Sequence, residues 1–158
     1  MTIGTSTEHG GGNYPFLSRQ GEKETESVRG NADYRSNGYF MKADWHGDSA
    51  TRSDMVVNLV SSERGTPGPL FTTANQGRAR QSDDQLQIAG SLRHGEGGKL
   101  QLTLAGNFQN AYERYIDAGE RVPVDNYYRT VVWNLSPQAR FAFSGPLSLL
   151  AGAEIGSA

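Results

Sequence analysis

From Val131 to Phe143 every odd position is apolar: Val131, Trp133, Leu135, Pro137, Ala139, Phe141 and Phe143. The even positions between them carry Asn134, Ser136, Gln138 and Arg140. A period of two marks a strand whose two faces meet different surroundings. The pattern recurs along the chain. Leu100, Leu102, Leu104 and Phe108 alternate with Gln101, Thr103 and Asn107, and Leu86, Ile88 and Leu92 with Gln85, Gln87 and Ser91. Met55, Val57 and Leu59 alternate with Asp54 and Asn58, and Tyr39, Met41 and Trp45 with Lys42 and Asp44. Leu147, Leu149 and Ile155 alternate with Ser148 and Glu154.

The connections also alternate, long at 10–27, 64–80 and 116–125 and tight at 46–50, 94–98 and 144–146. Long and short in turn predict an all-β, antiparallel up-and-down meander of about seven long strands. Their expected spans are roughly 1–8, 28–45, 51–63, 80–93, 99–115, 125–143 and 147–158. Folding the last hairpin about Gly145 sets Phe143 against Leu147 and Phe141 against Leu149. Folding about Glu96 sets Leu92 against Leu100 and Ile88 against Leu104. In both hairpins apolar residues meet on one face, as a shared register demands.

Strand length bears on what the apolar face meets. Strands in globular proteins run about five or six residues, whereas 131–143 alone spans a band on the order of 30 Å tall at ~3.3 Å per residue and a tilt of ~40°. That is the height of an outer-membrane apolar belt, so a partial transmembrane β-barrel is expected. Val131, Trp133, Leu135, Phe141 and Phe143 are assigned to lipid, and the polar face to a water-filled or plugged lumen. Trp45 and Phe143 near short turns, and Tyr112, Tyr115, Tyr127 and Tyr128 toward the other rim, suit interfacial girdles. The alternative is a soluble β-sandwich binding module, for a carbohydrate or another ligand, in which a second sheet covers the Trp133 face. A small passive porin-type barrel is a further option, but it needs an even strand count.

Two positions interrupt the pattern. Asp84 falls on the face of Leu86, so either the strand leaves the apolar belt there or a bulge resets it. Pro137 has no N–H to give a ladder, so a bulge or break is expected at Ser136–Pro137.

Composition narrows the classes. The chain has 158 residues, 20 of them Gly, no Cys, and a net charge of -2. Disulfides and thiolate metal sites are excluded, and no electrostatic case for nucleic acid exists. The first residues lack a basic stretch followed by an apolar one, so no signal peptide is expected.

Loop segments carry a family likeness. "GGNYPFL" (Gly12, Asn13, Tyr14, Pro15, Phe16) precedes "RGNAD" (Arg29, Asn31, Asp33), which precedes "ERGTPGP" (Arg64, Gly65, Pro67, Gly68, Pro69) and "ARQSDD" (Ala79, Arg80, Gln81, Asp83). In this order they resemble the barrel half of TonB-dependent outer-membrane receptors, the cobalamin-receptor-like branch above all. The likeness covers most of residues 9–115, with motifs specific in their order more than singly. It implies an outer-membrane location in bacteria and a role in energy-coupled uptake of a large scarce nutrient, a corrinoid or metal chelate. It also implies a plug domain, the rest of the barrel and an inner-membrane energy-coupling protein as partners, besides outer-membrane lipid. No plug domain or energy-coupling box is expected within these residues, and seven strands are about a third of the ~22 such a barrel has.

No catalytic constellation stands out, so no enzyme activity and no cofactor is expected. His9, His46 and His94 lack second ligands at metal spacing and read as solvated turn residues. Gly10–Gly12 lacks the Lys-Ser/Thr and helix of a phosphate loop. Asp83 and Asp84 are adjacent, hence on opposite faces. Candidates for contact with a bulky ligand are loop residues: Tyr14 and Phe16 on one long connection, and Arg64, Phe71, Arg78 and Arg80 on the next. Aromatics would meet its apolar body and arginines its carboxylate or phosphate groups; the plainer alternative is that the arginines pair with local acids.

Overall fold

A computed structural model describes residues 1–20, 23–48, 50–67, 78–118, 123–143 and 146–158. The described residues form strands and no helix: β1 (Thr2–Gly10), β2 (Tyr14–Gln20), β3 (Lys23–Arg29), β4 (Tyr34–His46), β5 (Thr51–Thr66), β6 (Ala79–His94), β7 (Leu100–Asp117), β8 (Val124–Ala142), β9 (Ser148–Gly152) and β10 (Ile155–Ser157). One sheet has the order β1-β4-β5-β6-β7-β8, with β9 and β10 both on the far side of β8, and every pairing is antiparallel. The expected meander of long strands is present, and β8 reaches 19 residues. The sheet is open: among the described residues nothing pairs with the outer edge of β1 or of β9 and β10.

The connection at 10–27 is not the plain loop its glycines and polar residues suggest. Tyr14–Gln20 and Lys23–Arg29 pair as a separate two-stranded hairpin. Its alternation is hidden because charged residues stand opposite apolar ones, as in Leu17 opposite Glu26. Gly12 at its base lies where a Cβ would overlap Ala32 O, so this glycine serves a close backbone approach rather than a phosphate.

Register partners share a sheet face, so rows can be followed across the strands. Trp133, Phe108, Ile88, Val57, Met41 and Ile3 form one unbroken apolar row. The polar face carries the interleaved residues, such as Gln109, Gln87 and Asn58 in register. The last hairpin pairs as expected, Phe141 opposite Leu149 and Phe143 N donating to Leu147 O at 3.0 Å. The β6–β7 hairpin keeps its faces but slips by four residues from expectation, with Leu92 opposite Leu104 and Ile88 opposite Phe108. Its turn is wider than a fold about Glu96 allows, because Gly95 and Gly97 both take φ +81° and Gly98 N closes onto Gly95 O at 2.9 Å.

This slip resolves Asp84. It stands opposite Tyr112 and Ser61, in a row continuing to Arg129 and Asn37, beyond the apolar rows and with no bulge. Pro137 causes no bulge either. Ala153 N donates to Pro137 O at 3.0 Å, so the missing N–H faces the last strand and not β7. The β7–β8 ladder therefore runs unbroken through Leu104 opposite Pro137, and the interruption falls in the partner, between β9 and β10, with the register unchanged across it. Of the four rim tyrosines, Tyr112 and Tyr127 lie on the apolar face and stack at 6.3 Å, whereas Tyr115 and Tyr128 fall on the other.

The apolar band is stepped. On β4 to β6 it runs from the row of Val131 to the row of Pro137, the latter containing Trp45 and Leu92. On the last hairpin its lower margin reaches Phe143 and Leu147, six positions further along β8. Among the described residues no second layer covers the band. Ala79 is the one buried hydrophobic residue described, at 3% exposure, while Trp133 is 40% and Ile155 57% exposed.

Candidate functional site at the long-connection rim

The rim that carries the longer connections is drawn together by the segment between β3 and β4. Asn31 adopts φ 57°, the left-handed region in which Asn is the best tolerated residue after Gly. That turn aims its side-chain amide at the mouth of the next hairpin. Nδ2 donates to Thr66 O at 3.0 Å and to Ala79 O at 2.8 Å, the last register partners of β5 and β6. Gly65 N donates to Asp33 O at 2.8 Å, and the space a Gly65 Cβ would need is filled by Asn31.

Arg80 closes the cluster. Nη1 donates to Asp33 Oδ2 at 2.9 Å and Nε to Glu63 Oε1 at 2.9 Å, and Nη1 also lies 3.5 Å from Asn31 Oδ1. Partial burial opposes the guanidinium charge, but the bonds it donates to Asp33 and Glu63 outweigh it and raise the pKa. Beside it on the other face, Arg64 Nε donates to Gln81 Oε1 at 3.3 Å, and Gln81 Nε2 donates to Glu113 Oε1 at 2.8 Å. Further along the rim, Arg114 and Asp125 form a two-bond fork of 2.9 and 2.7 Å, and this ion pair holds the Asp125 carboxyl below its ordinary value.

The ligand-contact candidates therefore divide. Arg64 and Arg80 come together near one hairpin mouth, Arg80 bonded to the acids Asp33 and Glu63 and Arg64 to the amide of Gln81. Arg78 is exposed just before β6. Tyr14 begins β2 and is exposed, and Phe16 is half-buried on the same hairpin. Phe71 lies outside the described residues. Val131, Trp133, Leu135, Phe141 and Phe143 all stand exposed on the apolar face, with Phe141 and Phe143 in an edge-to-face contact at 5.0 Å. Sequence reasoning missed the role of Asn31 and Glu63; the available signal was Gly30-Asn31, a turn dipeptide ahead of a strand.

The polar face holds a depression of about 340 Å³ lined by the carboxamides of Asn58, Gln87, Asn107, Gln109 and Asn134. Its lining is uncharged, which suits contact with water or neutral polar groups. Among the described residues no group of three His, Asp or Glu side chains could hold a metal ion. No family model and no curated protein matches the chain.

Proposed function

We propose that this chain forms part of the wall of an outer-membrane β-barrel of the TonB-dependent receptor kind, contributing to energy-coupled uptake of a large scarce nutrient such as a corrinoid or metal chelate. The observation that carries the reading is the continuous apolar face, exposed on every strand of the main sheet and uncovered by any described residue. In water such a surface, far larger than scattered exposed residues, would drive association. Against acyl chains it is at equilibrium.

The step in the band supports the same reading. Strands ~4.8 Å apart and tilted ~40° offset a level membrane slab by ~4 Å per strand, about one residue. Over the five strand-to-strand steps from β4 to β9 that is roughly six residues, and the lower margin moves six, all of it after β6. A sandwich core has no reason to climb in this way, and it requires a covering sheet. In this reading the rim cluster around Asn31 shapes the outward loops, and the amide-lined face borders the lumen and its plug. Coupling to the inner membrane would run through that plug.

The test is partition. Refolded chain is expected to float with phosphatidylcholine vesicles and to need lipid or detergent for its strand signal, with Trp133 fluorescence quenched by brominated acyl chains. A compact monomer in plain buffer, with Trp133 shielded, would sink the proposal. The ligand class is tested by adding cobalamin or a ferric chelate to the vesicle-bound chain and following protection of the rim loops.

A further inference from the structure

One row of the polar face differs in composition from those above and below it. Gly4, Phe40, Asn58, Gln87, Gln109 and Val132 stand in register across β1 and β4 to β8. Three carboxamides therefore lie side by side between an aromatic and an aliphatic residue. Asn107 and Asn134 extend the amides into the next row. Phe40 is 38% exposed although it lies on the face opposite the apolar band. Its register partner Gly4, and Gly38 two residues before it, bring no side chain against the ring. A second depression, of about 300 Å³, opens there and meets the amide-lined one at Asn58.

Elsewhere the amides serve the fold. Asn31 staples a hairpin mouth, Gln81 bridges Arg64 and Glu113, and Asn110 accepts from Arg129. The side chains of Asn58, Gln87, Asn107 and Gln109 make no hydrogen bond among the described residues, and Asn134 donates to Glu154 at 3.3 Å. This row and the one through Gln85 hold no charged residue. Asp83, Glu113 and Glu8 share the row beyond them toward the long connections, and Asp44 and Asp54 lie toward the tight turns. Lys42, in the row of Asn107, is paired with Asp44 at 3.5 Å.

We propose that this row is a binding track for a neutral, ribbon-shaped oligosaccharide of the cellulose-like β-glucan kind. A carboxamide both donates and accepts, so these side chains match sugar hydroxyls in either orientation. The flat C–H face of a pyranose ring suits Phe40 at one end and Val132 at the other. Four strand spacings separate those ends, about 19 Å at ~4.8 Å each, which leaves room for about four rings. The acids on both sides repel a carboxylate or phosphate ligand. The inference goes beyond the uptake reading: it concerns the polar face alone, and it holds whether that face lines a barrel or meets open water.

The test is a titration of the full chain with cellohexaose in dodecylphosphocholine micelles, or in plain buffer if flotation shows that no lipid is needed. The side-chain NH2 signals of Asn and Gln are followed by NMR. Those of Gln87 and Gln109 are expected to shift, with cellobiose binding far more weakly and the anionic hexagalacturonate not at all. Phe40→Ala is expected to weaken binding about tenfold, and Gln87→Leu combined with Gln109→Leu by about tenfold or more. Gln138→Leu, on the same face but outside the amide rows, should leave binding unchanged. No shift with cellohexaose at millimolar concentration, equal binding of hexagalacturonate, or unchanged binding in the Phe40→Ala chain would each overturn the proposal. The first two of these readouts need no substitution. Failure of the barrel reading shows separately, as absence of vesicle flotation.

Discussion

The side-chain amide of Asn31 donates to the backbone oxygen of Ala79 at 2.8 Å, joining points 48 residues apart in the chain. The same nitrogen serves Thr66 O, so one side chain staples both ends of the β5–β6 mouth. Asn31→Ala removes both bonds and the short polar side chain that lets Asn tolerate φ 57°. The expected loss is about 2 kcal/mol, with faster amide exchange at Thr66 and Ala79. Asn31→Gly keeps the turn but not the staple, and is expected to recover only part of the loss in the same exchange measurement.

Gly65 is packed against that turn. A Cβ there would overlap Asn31 O, which is backbone and cannot rotate away. Gly65→Ala is expected to cost roughly 1–3 kcal/mol. Limited proteolysis within 66–79 should rise with it, and an unchanged digestion pattern would count against a tightly packed rim.

Arg80 faces two carboxylates, those of Asp33 and Glu63, and its side chain is 33% exposed. Solvent screening limits each pair to about 1 kcal/mol or less. A double-mutant cycle of Arg80→Gln with Asp33→Asn should therefore give a small favourable coupling that shrinks in high salt. If instead Arg80 primarily serves a ligand, the coupling should vanish and ligand protection of the rim should fall.

Neighbouring residues on opposite faces offer a sharper contrast. Ile88 sits among Phe108 and Val57, whereas Gln87 sits among Gln109 and Asn58. In vesicles Ile88→Arg is expected to destabilise by ~2–4 kcal/mol and Gln87→Arg by far less. Urea titration of the vesicle-bound strand signal measures both. Equal effects would mean that the two faces meet the same medium.

The fork between Arg114 and Asp125 lies on the rim, beyond the apolar rows, and it lowers the Asp125 pKa from its ordinary 3.8. A depressed folded-state pKa stabilises the fold above the unfolded value, and that contribution fades as pH falls through the folded one. The loss should thus occur below pH ~4 and not near neutrality. Arg114→Gln should bring the Asp125 titration, followed by carboxyl NMR shifts, back up toward 3.8.

The meander, its faces and most of its strand spans were legible because a period of two survives wherever the two sides of a sheet meet unlike media. The strand expected over 28–45, however, starts only at Tyr34, since Val28 and Arg29 end β3 and the Asn31 turn follows. Exact pairing was less so. The Glu96 hairpin could slip by four residues without exchanging faces, since an even shift keeps every apolar residue on its side. The β2–β3 hairpin escaped notice because Glu24, Glu26 and Arg29 break its pattern. Asn31 and Arg80 stood in the motif segments, but their meeting depends on register, which no local pattern encodes.

Pro137 leaves the carbonyl of Ala153 with no return donor, so the final line of the sheet is two short ribs instead of one long one. Under force or heat this margin should therefore come loose in two stages, Ile155–Ser157 before Ser148–Gly152.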